Sequence, residues 1–136
     1  MISMDQSKKT IFIADGNDTD LYKLEGVLES HYNTLTMPTA QKMFALLEKV
    51  TPYIILLDAD IPDMNCFDVV LRLKYDSDYP YIPVMFLSES RNILEESKAV
   101  ESGVVDFIFK PFVPNILLNR VKVHVNLCQM IRERGG

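Results

Sequence analysis

Four apolar runs in this chain of 136 residues each stop at a side chain able to handle a phosphoryl group. Asp15 follows Thr10-Ile-Phe-Ile-Ala, Asp58 follows Tyr53-Ile-Ile-Leu-Leu, Ser88 follows Ile82-Pro-Val-Met-Phe-Leu, and Lys110 follows Asp106-Phe-Ile-Phe. A carboxylate at the end of a strand can attack phosphorus and form an acyl phosphate. A second carboxylate can help to bind Mg2+, which takes one or two carboxylates and fills its octahedron with water and phosphate oxygens. A hydroxyl and an ammonium then bind the remaining phosphoryl oxygens, where the negative charge is spread. Taken singly, each of the four is an ordinary cap or turn residue. Together they are a coherent set, because ligands of a parallel sheet sit beyond the carboxyl ends of its strands.

The elements that must position them alternate in type every ten to fifteen residues. Short apolar, β-branched runs at 10–14, 34–36, 53–57, 82–87 and 106–109 read as strands. Between them lie amphipathic stretches with helical spacing. Asp18 or Thr19 can cap the first, with Leu21, Leu24 and Leu28 inward, and Pro38 and Thr39 open the second, with Met43, Leu46, Leu47 and Val50 on one face. The third follows the turn at 60–65 and turns Phe67, Val70 and Leu71 inward. The fourth, 92–102, is dominated by Glu95, Glu96, Lys98 and Glu101 and ends at Gly103. The fifth spans 114–132 and carries two apolar stripes: Leu117, Val121, Val125 and Cys128 on one side, Ile116, Val123, Leu127 and Met130 on the other. One stripe must face the sheet; the other is expected to meet a partner protomer or a following domain. Five strands alternating with five helices predict an α/β fold, a parallel sheet covered on both faces.

Composition narrows the function classes. A net charge of −5 lacks the basic face of a nucleic-acid-binding domain. No apolar run approaches the roughly 18 residues of a membrane helix, and residues 1–9 are too polar for a secretory signal. Cys66 and Cys128 stand far apart, with no spacing for zinc or a disulfide framework, so a cytoplasmic location is expected. One domain over 9–132 is expected, with flexible ends at 1–8 and 133–136.

On these motifs the chain resembles the receiver domain of two-component response regulators. The matching segments are Ile-Phe-Ile-Ala-Asp15, Ile-Leu-Leu-Asp58-Ala-Asp-Ile-Pro62-Asp-Met, Ile-Pro83-Val-Met-Phe-Leu-Ser88, and Gly103 followed by Asp106-Phe-Ile-Phe-Lys110-Pro111-Phe112. The resemblance implies a flavodoxin-like, doubly wound sheet in the order 2-1-3-4-5. It implies phosphorylation of Asp58 by a histidine kinase or phosphotransfer protein, and a Mg2+ ion held by Asp15, Asp58 and the backbone carbonyl of Asp60. It further implies a Ser88 that turns toward the phosphate, a Lys110 that pairs with it, a Phe107 that changes rotamer, and a cis peptide between Lys110 and Pro111. Such a protein is a switch that accepts a phosphoryl group on itself, not a turnover enzyme.

The chain departs from that pattern in three places. Most receivers carry two adjacent acids after the first strand, whereas this chain reads Asp15-Gly16, and one metal ligand is missing. The carboxylate of Asp60 or Asp18 is a candidate replacement; both are also ordinary turn or cap residues. Glu89 stands where a small residue is common, and Asn65-Cys66 replaces a common Asp-Gly, which would strain Cys66 if that site needed φ > 0. Gly16 thus leaves a second reading open, a pseudo-receiver that serves as an interaction module without being phosphorylated. A phosphatase of the haloacid-dehalogenase type is disfavoured, since Lys110 is followed by no acidic pair, only Glu133.

Overall fold

The computed structural model describes residues 4–76, 78–90 and 93–135, with residues 93–96 described by their backbone alone. Five strands, β1 (Thr10–Ala14), β2 (Asn33–Met37), β3 (Ile55–Asp58), β4 (Val84–Ser88) and β5 (Asp106–Phe109), form one sheet in the order β2-β1-β3-β4-β5. Every pairing is parallel. The helices α1 (Asp18–Leu28), α2 (Ala40–Leu47), α3 (Cys66–Tyr75) and α4 (Ile93–Ser102) supply the crossovers, and α5 (Pro114–Glu133) follows β5. This is the parallel sheet expected from the alternation, in the doubly wound order that the resemblance implies. Asn92, expected to open α4, lies outside the described residues, as do residues 1–3 and Gly136 of the expected flexible ends. Asn33 ties residues 5–8 to the start of β2, its amide donating to the carbonyls of Asp5 at 2.6 Å and Lys8 at 3.0 Å.

Because successive side chains of a strand point to opposite faces, the sheet divides the apolar residues into two cores. Phe12, Ile55, Leu57, Val84 and Phe86 pack with α2 and α3 on one side. Ile11, Ile13, Leu56, Met85 and Ile108 pack with α1 and α5 on the other. Leu117, Val121, Val125 and Cys128 form the inward stripe of α5, each essentially inaccessible. The second stripe is left uncovered: Ile116, Val123, Leu127 and Met130 are each about half exposed.

Two local expectations are corrected. The cap of α1 is Asn17, whose side chain accepts from the Asp20 amide, and not Asp18 or Thr19. In α3 the buried face is Cys66, Val69, Val70 and Leu73, while Leu71 is exposed. That helix starts at Cys66, which sets its inward face at i, i+3, i+4 and i+7 from there; Phe67 is partly buried and meets Phe86 edge-on at 5.6 Å. Cys66 is unstrained, since among the described residues positive φ occurs only at Gly103 and Gly135. Asn65 caps α3 instead, its side chain accepting from the amides of Phe67 and Asp68.

Candidate functional site

The carboxyl ends of β1, β3, β4 and β5 bring Asp15, Asp58, Ser88 and Lys110 to one edge of the sheet. Asp15 is fully buried just past β1, where its amide still donates to Met37 at 3.0 Å and continues the ladder. Asp58 ends β3 and is 7 % exposed; its Oδ1 accepts from the Asp60 amide at 3.0 Å. Ser88 ends β4, its Oγ donating to the Ser90 carbonyl and accepting from the Ser90 amide. Lys110 follows β5, its amide donating to the Ser88 carbonyl at 2.7 Å. The peptide between Lys110 and Pro111 is cis.

The side chain of Lys110 crosses the edge of the sheet and organises the site. Its Nζ lies 2.8 Å from Asp15 Oδ2, 2.9 Å from Asp20 Oδ2 and 3.6 Å from Asp58 Oδ1. Burial alone would push this ammonium toward neutrality. The hydrogen bonds of Asp15 and Asp20 and the charges of Asp58 and Asp15 outweigh it, and hold the pKa above the ordinary lysine value. Burial also raises the carboxyl of Asp15, against the hydrogen bonds from Lys110 and the Asn17 amide. The result is a charge-dense cleft lined by Gly16, Asp20, Asp58, Asp60, Glu89 and Lys110.

Asp20 was not among the residues singled out from sequence. It stands in the first turn of α1, and a doubly wound fold points that turn at the end of β1. Acids are common there for the helix dipole alone, so its type carried no signal. Asp18, the first residue of α1, is exposed and does not line the cleft. Asp60 does line it, with an exposed side chain.

The sequence matches the family model of the response regulator receiver domain over residues 11–122. The chain belongs to the receiver domain family. Among curated relatives, this receiver is 28 % identical over 121 residues to a probable cyclic di-GMP phosphodiesterase of Vibrio cholerae, covering 89 % of this chain and 27 % of that one. It is 27 % identical to the DNA-binding response regulator MtrA of Mycolicibacterium smegmatis, covering 90 % and 53 %. The chain thus spans about half or less of the length of these relatives. Its fold matches the signal receiver domain of an HD domain-containing protein from Pseudomonas fluorescens Pf-5 with a TM-score of 0.86, at 19 % identity and 98 % coverage of both chains.

Two features bear on what this receiver can bind. Asp15 and Asp58 provide two hard carboxylate donors, the number Mg2+ ordinarily takes, so the residues present fit the ion the family implies. Gly16 adds none, and among the described residues no three His, Cys, Asp or Glu side chains are grouped to hold a metal. A Cβ on Gly16 would lie 3.1 Å from Cδ of Pro62, so a side chain there requires the proline ring to give by a few tenths of an ångström. A cavity of about 200 Å³ also lies between Ser88 and Phe107, bounded further by Ala59, Phe86 and Ala99. Phe107 is half-buried at the edge of that cavity and packs edge-on to Phe109 at 5.6 Å.

Proposed function

We propose that this receiver is the phosphoryl-accepting switch of a two-component phosphorelay, with Asp58 as the acceptor. A carboxylate oxygen of Asp58 attacks the phosphorus of a phosphohistidine on a histidine kinase or phosphotransfer protein. The P–O bond forms as the P–N bond breaks, and the imidazole nitrogen leaves with its electron pair and takes a proton. Lys110 places positive charge beside the incoming oxygens, and the Ser88 hydroxyl leaves Ser90 to donate to one of them. A Mg2+ ion, held by Asp15, Asp58 and the backbone carbonyl of Asp60, supplies charge neutralisation at the phosphoryl oxygens when bound. Movement of Ser88 opens the cavity beside it to Phe107, which carries the change to the exposed edge of β5. The uncovered stripe of α5 is the surface we assign to a second copy or a following output domain. The setting is cytoplasmic, and this chain contacts neither nucleic acid nor lipid itself.

The observation that carries this reading is the placement of Lys110, within 4 Å of Asp15 and Asp58 and with its amide on the Ser88 carbonyl. Gly16 favours a second reading, the pseudo-receiver, because it removes one of the metal-binding acids. Incubation with acetyl phosphate, with and without Mg2+, separates the two by intact mass. The expected result is one added phosphoryl group that depends on Mg2+ and is lost in Asp58→Asn, whose amide cannot form the acyl phosphate. No mass gain at millimolar donor would favour the pseudo-receiver.

A further inference from the structure

We propose that Asp20 is a positioning residue that holds Lys110 away from the acceptor in the resting protein, so that a phosphoryl group on Asp58 must draw the ammonium off Asp20. The inference rests on the reading of Asp58 as acceptor. An ammonium has three N–H donors. Two are spent on Asp15 at 2.8 Å and Asp20 at 2.9 Å, both within charge-assisted hydrogen-bond range. The contact to Asp58, at 3.6 Å, is an ion pair beyond that range.

The two anchors are unequal in a way that assigns their roles. Asp15 is fully buried and sits in the β1 ladder, so its grip on Lys110 is part of the core. The Asp20 side chain is 20 % exposed and belongs to the first turn of a helix. Water can take over its hydrogen bonds when Lys110 leaves. Asp20 is therefore the anchor that can be released. It also adds a negative charge to the cleft that any anionic phosphodonor must enter, so it opposes both the approach of the donor and the capture of its oxygens.

The probe is beryllofluoride, an inorganic mimic of a phosphoryl group on a carboxylate, titrated at saturating Mg2+ and followed by NMR. Asp20→Asn keeps the shape and removes the charge; it should bind beryllofluoride about tenfold more tightly, corresponding to about 1.4 kcal/mol. Asp20→Glu, which restores the charge, should return most of the way to wild type. Mg2+ affinity without beryllofluoride, measured by calorimetry, should fall by only a fewfold in Asp20→Asn, the effect of losing one nearby charge and not a ligand. Equal beryllofluoride affinity in wild type and Asp20→Asn overturns the proposal, and so does a large loss of Mg2+ affinity, which would make Asp20 a metal ligand in place of the acid missing at Gly16. Should Asp20→Asn fail to fold, Asp20→Ser removes the same charge and carries the same expectations. A wild-type chain that takes neither beryllofluoride nor a phosphoryl group on Asp58 defeats the acceptor reading itself. That outcome is distinct from a wild type that responds and a variant that matches it.

Discussion

Lys110 is the residue on which the charge balance of the cleft turns. Its side chain is 8 % exposed and its partner Asp15 is fully buried, so the pair is one of those whose separation leaves a charge stranded. Removing one member of such a pair costs about 3–5 kcal/mol. Lys110→Met should therefore lower the unfolding free energy by about that amount at neutral pH, as read by urea denaturation. The pH dependence has a definite sign. The carboxyl of Asp15 is already raised by burial, and the loss of Lys110 removes what opposes that rise. A carboxyl whose pKa is higher folded than unfolded destabilises above its folded pKa and is relieved as pH falls through it. The gap between Lys110→Met and wild type should then narrow as pH falls from neutral toward the ordinary carboxylate range, whereas a gap independent of pH would show that Asp15 is not the stranded group.

At the scale of elements, the cap of α2 joins two parts of the chain. Thr39 caps it locally, accepting from the Lys42 amide, while Asp63 reaches across from the loop after β3 to accept from Ala40 at 2.8 Å and Gln41 at 2.9 Å. Burial nudges the carboxyl of Asp63 upward, and the amides of Ala40, Gln41 and Asp63 itself outweigh it and hold it below the usual range. Its contribution is thus present above the ordinary carboxylate pKa and is lost as pH falls through the lowered folded value. Because Asp63 is exposed, the loss in Asp63→Ala should be modest, about 1 kcal/mol by thermal denaturation at neutral pH, and should shrink below pH 4. Such a long-range cap could not be read from sequence, where Asp63 is one more acid in a turn. The alternation of strands and helices was legible because apolar period and length differ sharply between them. Ends and faces were less so: Asn17, Asp18 and Thr19 are all good caps, and Leu71 is as apolar as Val70. The four residues at the strand ends were found because each closes an apolar run. Asp20 was missed because its partner lies 90 residues away on another element.

For the molecule as a whole, the two stripes of α5 assign different jobs to one helix. The inward stripe is core, and the outward stripe leaves Leu127 and Met130 47 % and 48 % exposed. Charged residues there should leave stability within about 0.5 kcal/mol per site. Leu127→Glu with Met130→Glu is expected to melt close to wild type while sedimentation shows weaker self-association. A large drop in melting temperature would place these side chains in the core instead, and a wild type that sediments as a monomer at all concentrations would remove a second copy as their partner. The far end of α5 behaves differently again. Arg132 donates to the carbonyls of Pro52 at 2.6 Å and Tyr81 at 2.9 Å, just ahead of β3 and β4, and its guanidinium sits 4.9 Å over the ring of Tyr53. The last turn of a helix near a chain end is ordinarily the first part to fray. Here that turn is fastened to the entry of the central strands, at the pole of the sheet opposite the cleft. In terms of hydrogen exchange, the amides of that turn should open only with β3 and β4, so the end of the helix and the middle of the sheet share one opening event. Anything joined beyond Arg132 is then coupled to the rigid centre of the molecule and not to a loose tail.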